Sequence, residues 1–515
     1  MNNQENFWLS YKITENDLTR IFNHLLETES PATQVELAKN IILFQIDNQK
    51  KKIEFDQKSE GSIYYPKDTF IKSDQLVFPH LSWLKGKVID IRSGVNPDLP
   101  DLQVIDVLLE NATTHISLAS NLSEHKLNTP VHRVIENWLD SEYVFTNYLS
   151  SISSKLKIML DSTDDLVCIA GNYFPRTLLV DIGIGQLNLC EAILEMENGG
   201  PLSTQDLLSQ IDLPTGINQR LIEFSLDFAL QEDNRFDEVG PSGKTLWFLN
   251  RLEPNEVQNI PNLLRFTEEL PTLPAELVQY KSFGAEQCDE FETEEITSPV
   301  ESVTISLTYP HWRSGTLPLT SRLKLLFPTA YETPRIKFNF VETKNNSSFS
   351  GWVVRPSRYI YGLREWYARE GVIPGSLIHL SRGKNPGEVS IRVEKSKNSK
   401  EWIRTVLVGA DGGVVIALLK QVVTCSFDER MALVTPDINS LDTVWEKKSK
   451  FPMEKIVHQT MIELSKLNPQ GQIHAQELYA AVNTLRRCPP STILDLLFNQ
   501  SWVKHLGDLY FKLTD

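Results

Sequence analysis

Ser350-Gly351-Trp352-Val353-Val354-Arg355-Pro356-Ser357-Arg358-Tyr359-Ile360-Tyr361-Gly362-Leu363-Arg364-Glu365-Trp366-Tyr367-Ala368-Arg369-Glu370-Gly371-Val372-Ile373-Pro374-Gly375-Ser376-Leu377-Ile378-His379-Leu380-Ser381 is the stretch on which the reading of this chain turns. Trp352 to Val354 have the apolar, β-branched character of a strand, and Leu363, Trp366 and Tyr367 fall at i, i+3 and i+4 on a short helix. Pro374-Gly375 then turns the chain into a second strand over 376–380. Four arginines interleave with these aromatics, so the stretch describes a surface that grips something rather than a reaction centre. His311, Asp411 and Ser426 are chemically capable types elsewhere in the chain, but no spacing brings them together, and the chain is read as non-catalytic.

Outward from this stretch, charge is strongly uneven. The 515 residues carry a formal net charge of −16, which alone discourages nucleic-acid binding. Residues 253–301, however, hold 12 Asp+Glu against 2 Lys+Arg, a net of −10, and residues 302–400 hold 16 Lys+Arg against 6 Asp+Glu, a net of +10. An acidic linker therefore precedes a basic module. Around the central stretch, strands are expected at 303–307, 317–326, 336–340, 388–393 and 402–407, which makes seven with a helix inserted.

Composition sets the remaining bounds. A hydrophobic content of 41% and a charged content of 23% are those of a globular protein, and 515 residues suffice for several domains. No apolar run reaches the roughly 18 residues of a membrane span, and the first residues lack the basic-then-apolar pattern of a secretory signal, so no membrane association and a cytoplasmic location are expected. Cys168, Cys190, Cys288, Cys425 and Cys488 form no Cys-x-x-Cys pair, and His80, His115, His125 and His132 lack acidic or thiolate neighbours at ligand spacing. Neither a metal nor another cofactor is expected.

Eight segments follow. Residues 1–60 form a helical module, with Thr14/Asp17 and Thr33/Glu36 as helix starts. Residues 61–128 form a small β-barrel with strands at 75–78, 86–91, 103–109 and 114–118, and 129–186 connect it onward. Residues 187–252 run helix, helix, helix, then two strands across Gly240-Pro241-Ser242-Gly243. Gly183-Ile184-Gly185 lacks a third glycine and a Gly-Lys-Ser/Thr ending, so it is a strand-to-helix turn and not a phosphate loop. After the acidic linker 253–301 and the basic module 302–407 come a strand-rich extension, 408–452, and a C-terminal domain, 453–515, that repeats the 187–252 layout. The fold class is thus α+β multidomain: winged helix-turn-helix domains, a small SH3-like β-barrel and a seven-stranded pseudobarrel.

Three resemblances give this layout functional content. The pattern of residues 74–91 is similar to Tudor- or KOW-type barrels. His474-Ala-Gln-Glu-Leu-Tyr479, Pro489-Pro-Ser-Thr-Ile493 and Gly507-Asp-Leu-Tyr-Phe511 make 453–515, and with it 187–252, resemble the HARE-type winged helix found with restriction enzymes, chromatin proteins and an RNA polymerase subunit. Gly315-Thr-Leu-Pro-Leu319, the strand led by Trp352, Tyr361-Gly-Leu-Arg-Glu-Trp366 and Val372-Ile-Pro-Gly-Ser-Leu-Ile378 resemble the DNA-binding pseudobarrel of plant transcription factors and restriction-enzyme effector domains. Here Gly-Leu-Arg-Glu-Trp stands for the family's contiguous Gly-Trp, and Ser376 for its aspartate.

That last resemblance implies two arms in the major groove of double-stranded DNA. The first carries His311, Trp312, Arg313 and Ser314, and the second Arg355, Ser357, Arg358 and Tyr359. Arginine can donate in pairs to guanine or phosphate, and the hydroxyls can bond phosphate oxygens. Arg486, Arg487 and Lys504 make the C-terminal winged helix a further DNA candidate. Acidic residues on the third helix and wing of 187–252 suit it, with the small barrel, to a protein partner. The expected function is a DNA-binding transcriptional regulator or transcription-associated factor. A DNA-sensing subunit of a restriction or defence system working with a separate nuclease, and a protein scaffold that binds no DNA, are the alternatives.

Overall fold

The computed structural model describes residues 6–59, 61–81, 84–99, 101–110, 115–129, 137–212, 216–278, 280, 298–330, 333–385 and 387–514. His132, Cys288 and most of the second half of the acidic linker lie outside them. The chain is mixed α+β and divides into two compact units, Met1–Leu179 and Val180–Asp515.

In the first unit, Thr14 starts the helix Glu15–Thr28 with a reciprocal capping box to Asp17, and Ile21 and Leu25 bury its apolar stripe completely. Thr33 starts Gln34–Ser59 in the same way, its backbone N–H donating to Glu36 Oε2 at 2.7 Å. The two-residue strand Ala32–Thr33 before that helix pairs with Asn172–Pro175, which pairs in turn with Leu166–Ile169. Residues 32–33 and 166–175, far apart in sequence, therefore share one sheet. Between the second helix and the third, Ser141–Asp161, sits a separate five-stranded sheet. Its strands, Ser62–Ile63, Gln75–Phe78, Leu84–Ser93, Gln103–Leu109 and His115–Ser120, follow in chain order. Tyr64, Phe70, Leu76, Phe78, Val88, Ile105 and Val107 form its core, as alternation along each strand requires.

Helix, strand, helix, helix, strand, strand is also the order at the two ends of the second unit. One copy comprises Ile184–Met196, Leu202–Ser203, Thr204–Leu208, Gln219–Glu232, Phe236–Glu238 and Leu246–Leu249. The other comprises Met453–Ser465, Gln472–His474, Ala475–Val482, Pro490–Asn499, Val503–Gly507 and Tyr510–Leu513. In all three copies the last strand is central, with the short first strand on one side and the penultimate strand on the other. The sequence shows the two copies of the second unit. The first unit's copy is a finding of the structure, because the 81 residues 60–140, with the inserted sheet, separate its second and third helices.

Between these copies the chain builds a curled seven-stranded half-barrel. Its strand order is Ser302–Ser306, Leu377–Arg382, Glu388–Val393, Arg335–Glu342, Ser348–Val354, Tyr359–Tyr361 and Thr316–Pro318. Only the pair Arg335–Glu342 and Glu388–Val393 is parallel. Inward residues such as Val303, Ile305, Ile336, Phe338, Phe340, Ile360, Ile378 and Ile391 make one core with Leu363, Trp366 and Tyr367 of the helix Arg364–Glu370. Gly375 holds φ +92 at the turn into Leu377–Arg382, and a Cβ there would lie 2.4 Å from Ala432 Cα, so no other residue fits.

Two strand expectations are corrected. Residues 317–326 form the strand Thr316–Pro318 followed by a single turn at Leu323–Leu325, since Pro318 offers no N–H and the Thr320 hydroxyl accepts from Leu323 N–H at 3.2 Å. Residues 402–407 belong to a long hairpin outside the half-barrel, Lys395–Val408 with Val414–Cys425, where Ile403 and Val423 pack on Ala432. The seventh strand of the half-barrel is instead Tyr359–Tyr361.

Candidate nucleic-acid interface

The first expected arm is not an arm. Tyr309–Ser314 is a helix with proline in its first turn and Gly315 closing it in the left-handed conformation. Tyr309 lies 5.9 Å from the Trp312 ring and 6.5 Å from Trp445, within the core that also holds the C-terminal copy. His311 is 1% exposed, with Nδ1 2.9 Å from Thr316 Oγ1, and Ser314 is 3% exposed. Trp312 Nε1 donates to the Val372 carbonyl at 2.8 Å, and Arg313 pairs with Asp442 at 2.7 Å, which holds its guanidinium firmly charged. His311 and Ser314 are too buried to reach a base edge, whereas half-buried Trp312 packs against the core and half-exposed Arg313 is a tie to the helix Ile438–Lys448.

The second arm is a turn at the surface. Residues 355–358 join Ser348–Val354 to Tyr359–Tyr361, with Arg358 in the left-handed region at φ +53. Arg355 donates to the Thr333 carbonyl at 2.8 Å and remains half-exposed, as do Ser357 and Arg358. Tyr359 is 1% exposed and its hydroxyl donates to the Glu256 carbonyl at 2.6 Å, which corrects its expected place on a phosphate. In the C-terminal copy, Arg487 is 1% exposed and bonds Asn483 Oδ1 at 3.0 Å, and Arg486 is drawn to Glu268 and the Phe451 carbonyl. Lys504 alone of those three is exposed. The expected site is thus split: the structure gathers Arg355, Ser357 and Arg358 and disperses the rest.

Strand register assembles a different set around that turn. Pro318 pairs with Tyr359, and Leu319 N–H donates to the Arg358 carbonyl at 2.8 Å, so the following segment, with Arg322 and Lys324, lies at the turn's end of the sheet. Glu388–Val393 runs parallel to Arg335–Glu342, so the loop before it, with Arg382 and Lys384, faces the same sheet end but is set back along the strand, where Asn339 N–H donates to the Gly387 carbonyl at 3.2 Å. Ser242 N–H donates to the Thr329 carbonyl at 2.6 Å and carries Lys244 there as well. Lys244, Lys324, Arg382 and Lys384 are exposed, and Arg322 is half-exposed. These residues are far apart in sequence, so only the topology reveals that they share one end of the sheet.

The acidic linker reaches its basic neighbours through its described half. Glu253 meets Arg335 at 2.6 Å, Glu256 lies 3.7 Å from Arg364, and Glu268 holds Arg486. Asp237 joins the first pair at 2.8 Å from Arg335. Burial, with the shared Asp237 next, pushes the Glu253 carboxyl up to about 8. Beside them Lys337 lies 4.3 Å from the Phe248 ring and 5.6 Å from that of Trp352, donates to the Gly200 carbonyl at 3.2 Å, and is less basic through burial. Val239, Phe248 and Val257 pack on Trp352, Val354 and Tyr359 at the same place. The hairpin of Phe236–Glu238 and Leu246–Leu249 thus packs on the half-barrel's sheet.

Among the described residues no three His, Cys, Asp or Glu side chains are placed to hold a metal ion, and no helix is long and apolar enough to cross a membrane. No protein-family model matches the chain, and neither the curated proteins nor the solved structures contain a similar one.

Proposed function

We propose that the chain is a non-catalytic DNA-binding protein whose contact surface is the basic rim at one end of the half-barrel. The observation that carries this reading is the convergence of Lys244, Arg322, Lys324, Arg355, Arg358, Arg382 and Lys384, from four separate segments, onto one sheet end. Of the acidic residues at the same end, Glu388 is engaged by Asn385 at 2.9 Å. A rim of this kind suits phosphate contact, with Ser357 and the strained Arg358 turn at its centre. The strand order and the helices at 309–314 and 364–370 support a DNA-binding pseudobarrel, and the three helix–strand copies support winged helices. Those of the second unit serve as packing modules, because their third helices bury Leu221, Phe224, Leu226 and Leu230, and Ile493, Leu494 and Leu497, and carry a single exposed basic residue, Arg220, between them. Transcriptional regulation, or DNA sensing beside a separate nuclease, follows from such a reader.

A salt titration of binding to mixed-sequence duplex DNA tests this. A variant with Lys244, Arg358, Arg382 and Lys384 all changed to Ala should flatten the log–log slope by about 3 to 4, at roughly 0.9 per phosphate lost. An equal slope in both proteins removes the rim from the interface. No binding by the intact chain even at low salt favours the scaffold reading, which the internal pairing of Arg313, Arg486 and Arg487 supports.

A further inference from the structure

The outer face of three adjacent strands of the half-barrel carries a polar cavity of about 190 Å³, apart from the rim turn. Its floor is a lattice set by strand register. Ser302, Ser381 and Ser390 form one row across the strands, and Thr304, His379 and Arg392 form the next. Alternation sends Val303, Ile305, Ile378, Leu380, Val389 and Ile391 into the core, so every side chain of the two rows faces outward. Thr343, just beyond the strand Arg335–Glu342, completes the lining.

Five hydroxyls, one imidazole and one guanidinium therefore meet in one depression. The Thr304 hydroxyl lies 2.6 Å from His379 Nδ1, and donation from it would place the ring proton on Nε2. Nε2 is shielded from solvent and makes no hydrogen bond, its charged neighbour Glu394 Oε1 standing at 3.5 Å. Arg392 is held only loosely by the same carboxylate, at 3.8 Å. The site contains donors that the protein does not use.

We propose that this cavity binds a tetrahedral oxyanion, a phosphoryl or sulfate group. Arg392 supplies the charge and a two-pronged set of donors, displacing its loose contact with Glu394. The Ser302, Thr343, Ser381 and Ser390 hydroxyls rotate to donate, at little entropic cost because their side chains are short. A cation is disfavoured, since the guanidinium repels it and no carboxylate lies among the lining residues. A base or sugar ring is disfavoured too, because the lining has no aromatic surface on which to stack. The volume is below the roughly 300 Å³ at which drug-sized pockets begin, so it takes a single group. That group is either a free oxyanion or a phosphodiester of nucleic acid, for Ser381 immediately precedes Arg382 of the rim. The inference stands whether or not the chain binds DNA.

Calorimetric titration of the full chain with sodium phosphate, and separately with sodium sulfate, at low constant chloride should show saturable binding. Arg392→Gln, an exposed position, should weaken it by about tenfold or more with an unchanged melting temperature, as loss of a charged donor predicts. Ser390→Ala should weaken it less. Parallel titration with duplex DNA separates the sources: a loss of DNA affinity in Arg392→Gln identifies a phosphodiester, and unchanged DNA binding identifies a free oxyanion. Absence of saturable phosphate or sulfate binding by the intact chain, or equal binding by Arg392→Gln, overturns the proposal.

Discussion

Glu253 shows how a single buried carboxyl sets a pH response. Its folded pKa stands above its unfolded value, so its stabilising contribution is complete below the ordinary glutamate range and is lost as pH rises through about 8. Asp227 and Glu238, both raised to about 7 chiefly by burial, act in the same direction. The melting temperature should therefore fall from pH 5 to 8.5, and Glu253→Gln should flatten the upper part of that fall. Arg313→Ala provides a contrast: it removes a partly exposed ion pair worth under about 1 kcal/mol and should leave the DNA salt slope unchanged. Residue types at the site were legible, but their exposure was not. Nothing local distinguishes Arg487, 1% exposed, from Arg358 at the surface, because burial is decided by the helices and linker that fold over each one.

Elements follow local rules where those rules are strong. The strands at 75–78, 103–109 and 388–393 lie where alternation puts them, and the helix starts at Thr14 and Thr33 where their capping boxes do. The failures have physical causes. Residues 309–314 contain proline and polar types suited to a loop, yet the contacts of Tyr309 and Trp312 with Trp445 and Val372 fold them into a helix. One repeated signal spans the whole chain: Thr33-x-x-Glu36-Leu37, Ser203-x-x-Asp206-Leu207 and His474-x-x-Glu477-Leu478 each place a capping box after a short strand. Comparing them would have disclosed the first unit's copy. Ser203→Ala should cost about 0.5–2 kcal/mol in urea unfolding. Gly375→Ala, which combines a positive φ with backbone contact, should cost more than the cap does in the same measurement.

At the scale of the molecule, a net charge of −16 is compatible with the proposed basic rim because acidic groups near it, Asp237 and Glu253 among them, are paired with Arg335. Modularity was legible; the boundary at Leu179 was not, since it follows from one strand pairing across the inserted sheet. Residues 1–179 expressed alone should unfold cooperatively by circular dichroism, whereas a fragment ending at residue 129 should retain only the five-stranded sheet. That same pairing governs the order of events on the ribosome. Ala32 finds its partner only when Tyr173 has been made, roughly 7–28 s later at 5–20 residues per second. Throughout that interval the nascent chain carries an unclosed helical pair while the sheet spliced into it can finish folding alone, so synthesis rate, rather than final stability, decides how long that apolar surface stays uncovered.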